Sequence, residues 1–121
     1  MVNITGDGAF GFTMAELDTA RRHGLAAVHV IHDNASWGVI RLAQERGGFE
    51  IGTALDGADY AAVARALGCH GERIDRPDEV APALERALES GLPAVIDARV
   101  AFVPHPGMPR FAAAGMPPPA P

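Results

Sequence analysis

Residues 2–17, VNITGDGAFGFTMAEL, and residues 26–40, AAVHVIHDNASWGVI, set the course of this chain. Val2 to Thr5 has the branched, alternating character of a short strand, and Gly6-Asp7-Gly8 gives the backbone freedom to turn sharply where that strand ends. Thr13-Met14-Ala15-Glu16 has the spacing of a capping box, in which the Thr13 hydroxyl and the Glu16 carboxylate each satisfy a free amide at a helix start. The spacing predicts a helix from there to about His23, with Met14, Leu17 and Ala20 on one face and Glu16, Asp18, Arg21 and Arg22 on the others. Gly24 is suited to end it. Ala26 to Ile31 is apolar, branched and too short for a comfortable helix, which predicts a buried strand.

Strand, loop, helix, strand, loop is a crossover unit, and such units join parallel strands with a right-handed connection. Both strands then end at one edge of the sheet, where open parallel sheets bind ligands. Asp7 lies just past the first carboxyl end and Asn34 just past the second, 27 positions apart in the chain. A carboxylate and a carboxamide are hard oxygen donors, too few to enclose an ion alone, which suits magnesium completed by phosphate oxygens and water. Glycine amides beside a helix start suit the phosphates themselves.

Gly6-Asp7-Gly8, the step to Asn34 and the run Gly6 to Leu17 resemble the diphosphate-binding domain of thiamine diphosphate-dependent enzymes. The likeness is to acetolactate synthase and its relatives, benzoylformate decarboxylase and the 2-hydroxyacyl-CoA lyase and oxalyl-CoA decarboxylase group. It continues through Asp59-Tyr60, Ala64 to Gly68 and Pro93 to Asp97, and covers nearly all of residues 2–100. The resemblance implies an α/β fold, an open parallel sheet with helices on both faces, incomplete at its N-terminal side. It implies magnesium bound by the Asp7 carboxylate, the Asn34 side-chain oxygen and the Ser36 backbone carbonyl. It further implies that Gly6 and the amides around Gly8 and Ala9 meet the diphosphate, and that Trp37, Gly38 and Val39 border the cofactor. One departure stands out: the family has Asn-Asn where this chain has Asp33-Asn34.

The resembled enzymes bend the cofactor between two domains, and the glutamate that activates it belongs to the other one, so no catalytic residue is expected in this chain. A pyrimidine-binding domain or subunit is the implied partner, in a homo- or hetero-oligomer. The Val2 to Thr5 strand then lacks a sheet neighbour, which predicts an unpaired edge, an apolar patch and self-association. The implied activity is decarboxylation or carboligation of a 2-oxo acid, a transferase or lyase reaction, with acetolactate synthase-like joining of pyruvate as the specific expectation. The alternative is a truncated, non-catalytic remnant or assembly module.

The rest of the chain fits one small domain, residues 1–103, and a tail, residues 104–121, that holds seven of the ten prolines. Trp37 to Glu45 is predicted as a short helix, residues 46–58 with four glycines as a loop over the binding edge, and Asp59 as the cap of a helix Tyr60 to Leu67 ended by Gly68. Cys69 to Ile74 is predicted as a short strand. The helix Pro77 to Ser90 is expected to begin late or bend because of Pro82, with Val80, Leu84, Ala87 and Leu88 inward. Ala94 to Val100 is predicted as a further strand, the third with a strong apolar pattern.

With 121 residues, 48% of them apolar, and a net charge of −5, the chain suits a single core and repels nucleic acid and anionic membranes. Its one cysteine, Cys69, reads as a small buried apolar group, and together with the lack of a leader or spanning segment favours the cytoplasm. His29 and His32 are three apart on a strand and face opposite ways, which discards a zinc site. His70 and His105 read as surface or loop residues, and the run Arg73 to Glu79 as solvated.

Overall fold

The structure, a computed structural model, describes residues 1–103; the proline-rich stretch 104–121 lies outside the described residues. Four strands form one sheet in the order β1-β2-β4-β3. They are β1 (Val2–Gly6), β2 (Val28–Asp33), β3 (His70–Ile74) and β4 (Ala94–Arg99). Every neighbouring pair is parallel, with Val2 opposite Val28, Val28 opposite Ala94 and His70 opposite Ala94. The helices are α1 (Asp7–Gly11), α2 (Glu16–Arg22), α3 (Gly38–Arg46), α4 (Tyr60–Ala66) and α5 (Val80–Glu89), the last preceded by a 3₁₀ turn at Pro77–Glu79.

Strand order explains which face each helix covers. The chain advances across the sheet from β1 to β2 to β3 and then steps back to β4. Crossovers of one hand must therefore change face at the reversal. Phe10 of α1, Leu17 of α2 and Tyr60 and Ala64 of α4 pack with Ile31 and Val95 on one side. Ala83 and Ala87 of α5 pack with Val28, Ile74, Ala94 and Ile96 on the other. β4 runs between the layers and buries all but its last residue. Each valine or isoleucine fully withdrawn from water there contributes about 1.5–3 kcal/mol.

The second layer stops short of β1. Val2 and Ile4 share the α5 face with Val28 and Val30 through the parallel register, yet remain 46% and 67% exposed. β1 is also the sheet's edge strand. Among the described residues nothing pairs with the outer side of β1, and Val2 and Ile4 give it an exposed apolar face.

Local structure departs from expectation in three places. Asp7-Gly8 does not open a loop but the first turn of α1, and Thr13 caps nothing: α2 begins at Glu16 with Ala15 as its N-cap and no side-chain bond there. Residues 12–15 fold as turns after α1, with Thr13 N–H given to the Phe10 carbonyl, which removes the hydroxyl from the capping position. In α5, Ala83 and Ala87 are buried while Val80 and Leu88 are exposed, because small residues let the helix sit close on β4. Pro82 falls in the first turn of α5, where its missing N–H costs nothing, so the helix begins late as anticipated. β2 spans Val28 to Asp33 rather than beginning at Ala26, so Asp33 is its last residue. Asp59 caps α4 as expected, accepting the Ala62 N–H at 2.7 Å.

Candidate functional site

β1 and β2 run in register as far as Gly6 opposite His32, so both chains leave the sheet at the same edge. Asp7 follows at once as the first residue of α1 and is 3% exposed. Its Oδ1 accepts the Gly8 N–H at 2.9 Å and its Oδ2 accepts the Ser36 N–H at 3.1 Å. Asn34 Oδ1 accepts that same Ser36 N–H at 3.1 Å and the Ser36 hydroxyl at 3.1 Å. A carboxylate and a carboxamide that follow the ends of different strands thus converge on one amide. The Tyr60 hydroxyl donates to the Asp7 carbonyl at 3.3 Å and ties α4 to the same point.

The loop between β2 and α3 is held from several sides. Ala35 has φ 54°, a left-handed conformation that costs a residue with a β-carbon roughly 1–2 kcal/mol. Asp33 Oδ1 accepts the Ala35 N–H at 2.9 Å, and the Ala35 carbonyl accepts the Leu55 N–H at 3.0 Å. Trp37 donates its N–H to the Thr53 carbonyl at 2.8 Å, so the glycine-rich segment foreseen as a loop over the edge braces this one. Trp37, with φ −70° and ψ 68°, centres an inverse γ-turn in which the Ser36 carbonyl accepts the Gly38 N–H at 2.8 Å. That carbonyl keeps a second lone pair.

Two glycines of the cleft are required by close approach. A β-carbon on Gly8 would lie 2.8 Å from Trp37 Cε3, and one on Gly38 would lie 2.8 Å from Asn34 Nδ2. Phe12 lies against the indole as well, with ring centroids 5.2 Å apart.

These residues surround a cleft of about 500 Å³. Gly6, Asp7, Gly8, Ala9, Asn34, Ser36, Trp37, Gly38 and Val39, the residues singled out from the sequence, all line it. So do His32, Ile40, Leu42, Phe102 and Val103, which sequence reasoning did not select. A signal for Phe102 and Val103 existed: they follow the strand predicted over Ala94 to Val100, whose carboxyl end must share the edge. Of the two amides expected to meet a diphosphate, that of Gly8 is given to Asp7.

Three carboxylates are buried here, Asp7 in the lining of the cleft and Asp33 and Asp97 outside that lining. Burial raises the Asp7 carboxyl above its ordinary range, and the neighbouring Asp33 adds to this. Burial acts on Asp33 too, but the Ala35 amide and the Arg99 guanidinium outweigh it and hold that carboxyl low. Asp97, 0% exposed and without a hydrogen-bond partner for either oxygen among the described residues, is pushed up to about 6 by burial and by Asp33. Arg73 lies 3.9 Å from both Asp33 and Asp97, so the run containing it is not wholly solvated. Among the described residues no cationic side chain pairs with Asp7. A hard cation beside Asp7 and Asn34 would supply that missing charge, so the donor set fits magnesium.

The remaining candidates have ordinary places. His29 packs on Phe10 while His32 faces the cleft. His70 lies within β3, 3.6 Å from Glu72, rather than in a loop, and His105 is outside the described residues. Cys69 is buried, and burial raises its thiol. No cluster of three or more His, Cys, Asp or Glu placed for a metal occurs among the described residues. No helix among them is long and apolar enough to cross a membrane.

The fold and cleft define an open parallel α/β domain with a site, built on one buried carboxylate and one carboxamide, where its first two strands end. Residues 1–98 match the family described as thiamine pyrophosphate enzyme, C-terminal TPP binding domain, and the chain belongs to that family of cofactor-dependent enzymes. It is 48% identical over 99 residues to an acetolactate synthase large subunit of Mycobacterium tuberculosis, covering 80% of this chain and 18% of that protein. It is 37% identical over 98 residues to the acetolactate synthase isozyme 2 large subunit of Escherichia coli, covering 77% and 18%. The backbone resembles that of benzoylformate decarboxylase from Polynucleobacter necessarius with a TM-score of 0.78 at 23% identity, over 87% of this chain and 20% of that one. The chain therefore spans about a fifth of the length of these relatives.

Proposed function

We propose that this chain is the magnesium- and diphosphate-binding part of a thiamine diphosphate-dependent enzyme that decarboxylates a 2-oxo acid and transfers or releases the remaining acyl unit. Acetolactate synthase-like carboligation of pyruvate is the specific reaction proposed. The relatives' names support the class, since acetolactate synthases stand beside a glyoxylate carboligase of Escherichia coli that is 31% identical.

One observation carries the reading: Asp7 and Asn34 converge on the Ser36 N–H, and Asp7 is buried with no cationic partner among the described residues. In this proposal Asp7, Asn34 and the second lone pair of the Ser36 carbonyl hold magnesium. Gly6, Gly8 and Ala9 line the diphosphate, and Trp37, Gly38 and Val39 wall the cofactor beyond it. Bound thiamine diphosphate supplies the electron sink for breaking the bond to the substrate's carboxylate. The protein's own part is positioning: it orders the donors, excludes bulk water with Trp37 and Phe102, and neutralises the buried charge of Asp7 through the metal. A pyrimidine-binding domain or subunit is the proposed partner, consistent with the exposed apolar strip Val2 and Ile4 on the edge strand.

Titrating thiamine diphosphate with and without magnesium, and reading the fluorescence of the single tryptophan, Trp37, tests this. Saturable change that needs both ligands, and its loss in Asp7→Ala, is the expected result. No change in folded protein, alone and with a pyrimidine-domain partner, would sink the reading.

A further inference from the structure

Asp33 is buried at the end of β2, and its two carboxylate oxygens have different duties. Oδ1 accepts the Ala35 N–H and keeps that residue left-handed. Oδ2 accepts the Arg99 Nη1 at 2.6 Å. Arg99 ends β4 directly opposite Asp33 in the parallel register. The same guanidinium passes over Gly57, where a β-carbon would meet Nη1 at 3.0 Å. Gly57 belongs to the segment whose Thr53 and Leu55 bond to Trp37 and Ala35. One cation therefore touches the strand end that launches the site loop and the segment that braces it.

A buried carboxylate left without its cation is an uncompensated charge that is driven to turn outward, and that movement disturbs what its other oxygen holds. Arg73, at 3.9 Å and shared with Asp97, is too distant to replace a direct hydrogen-bonded pair.

We propose that Arg99 is a positioning residue of the cleft: acting through Asp33, it fixes Ala35 in its left-handed conformation and so sets where Asn34 and Ser36 present their oxygens. Arg99 is not one of the residues that line the cleft. Its effect on binding rests on the magnesium and diphosphate reading of the cleft; its effect on the loop rests on the contacts alone.

The test compares Arg99→Met, Arg99→Lys and the double variant Asp33→Asn/Arg99→Met in the full chain, each confirmed as folded by circular dichroism. Acrylamide quenching of Trp37 without ligand reads the loop, and thiamine diphosphate titration at saturating magnesium reads the site. Arg99→Met is expected to raise the quenching constant about twofold and the half-saturating cofactor concentration about tenfold, with Arg99→Lys intermediate because lysine lacks the planar fork. The double variant is expected to return both values to within about twofold of wild type, because the carboxamide oxygen introduced by Asp33→Asn still accepts from Ala35 and no unpaired charge is buried. Wild-type quenching and binding in Arg99→Met, or a double variant no better than Arg99→Met, overturns the proposal. Should Arg99→Met not fold, a double variant farther from wild type than Arg99→Lys overturns it. If wild-type protein binds no cofactor, the proposed function is what has failed, and the quenching series alone decides the role of Arg99.

Discussion

Gly8 and Trp37 are in contact across the cleft, the α-carbon of one lying under the indole of the other so closely that a β-carbon would stand 2.8 Å from Cε3. Gly8→Ala is accordingly expected to push the indole outward. Overpacking of this kind costs about 1–3 kcal/mol, and denaturant melts should show the loss together with a red-shifted Trp37 emission. Unchanged emission would mean that the contact is not kept in solution.

Gly71 is a stricter case. A β-carbon there would fall 2.1 Å from the Ala61 carbonyl oxygen, a backbone atom of α4 that cannot swing aside. Gly71→Ala is expected to separate α4 from β3 and to cost about 3 kcal/mol or more, a large share of a small domain's stability. Thermal melting of the variant beside Gly8→Ala checks the ranking, with Gly71→Ala the less stable.

Asp97 predicts a pH dependence with a definite sign. Its carboxyl is raised from an ordinary 3.8 to about 6 in the folded chain. A raised group stabilises the fold fully below its unfolded value, and this contribution is lost as pH climbs through the folded value. Asp97→Asn removes that loss, so the variant should gain on wild type by about 1–3 kcal/mol between roughly pH 4 and pH 7. Urea titrations of both proteins across that window measure the difference. A flat difference would place the charge of Asp97 in a better-compensated setting than its unbonded oxygens indicate.

Ile4, 67% exposed on the edge strand, is expected to drive association. Ile4→Lys should shift sedimentation toward monomer without lowering the melting temperature, because charge on an edge strand blocks pairing while the core is untouched. Monomeric wild-type protein at high concentration would count against this.

Cys69 should resist alkylating reagents in the folded protein and react once it is unfolded, since its thiol is buried and raised. Rapid modification of native protein would contradict its place in the core.

Residue order was enough to specify the strands, the parallel pairing and the edge at which Asp7 and Asn34 meet, because strand periodicity and crossover geometry are local rules. It also marked the helix bounds set by Gly24, Asp59 and Gly68, where a cap or a positive φ has a residue-specific cause. The rest waited on packing between distant segments. Thr13 lost its cap to a turn because α1 packs Phe10 into the core, and burial outweighs one side-chain hydrogen bond. Asp33, a mere departure from a familiar motif in the sequence, acquires its meaning from Arg99, a partner 66 positions away brought opposite by strand order. Asp97 looks like any strand residue until burial and the second carboxylate raise it. Long-range charge pairing depends on which strands become neighbours, and in this sheet β4 enters between β2 and β3 only after both have been laid down in sequence.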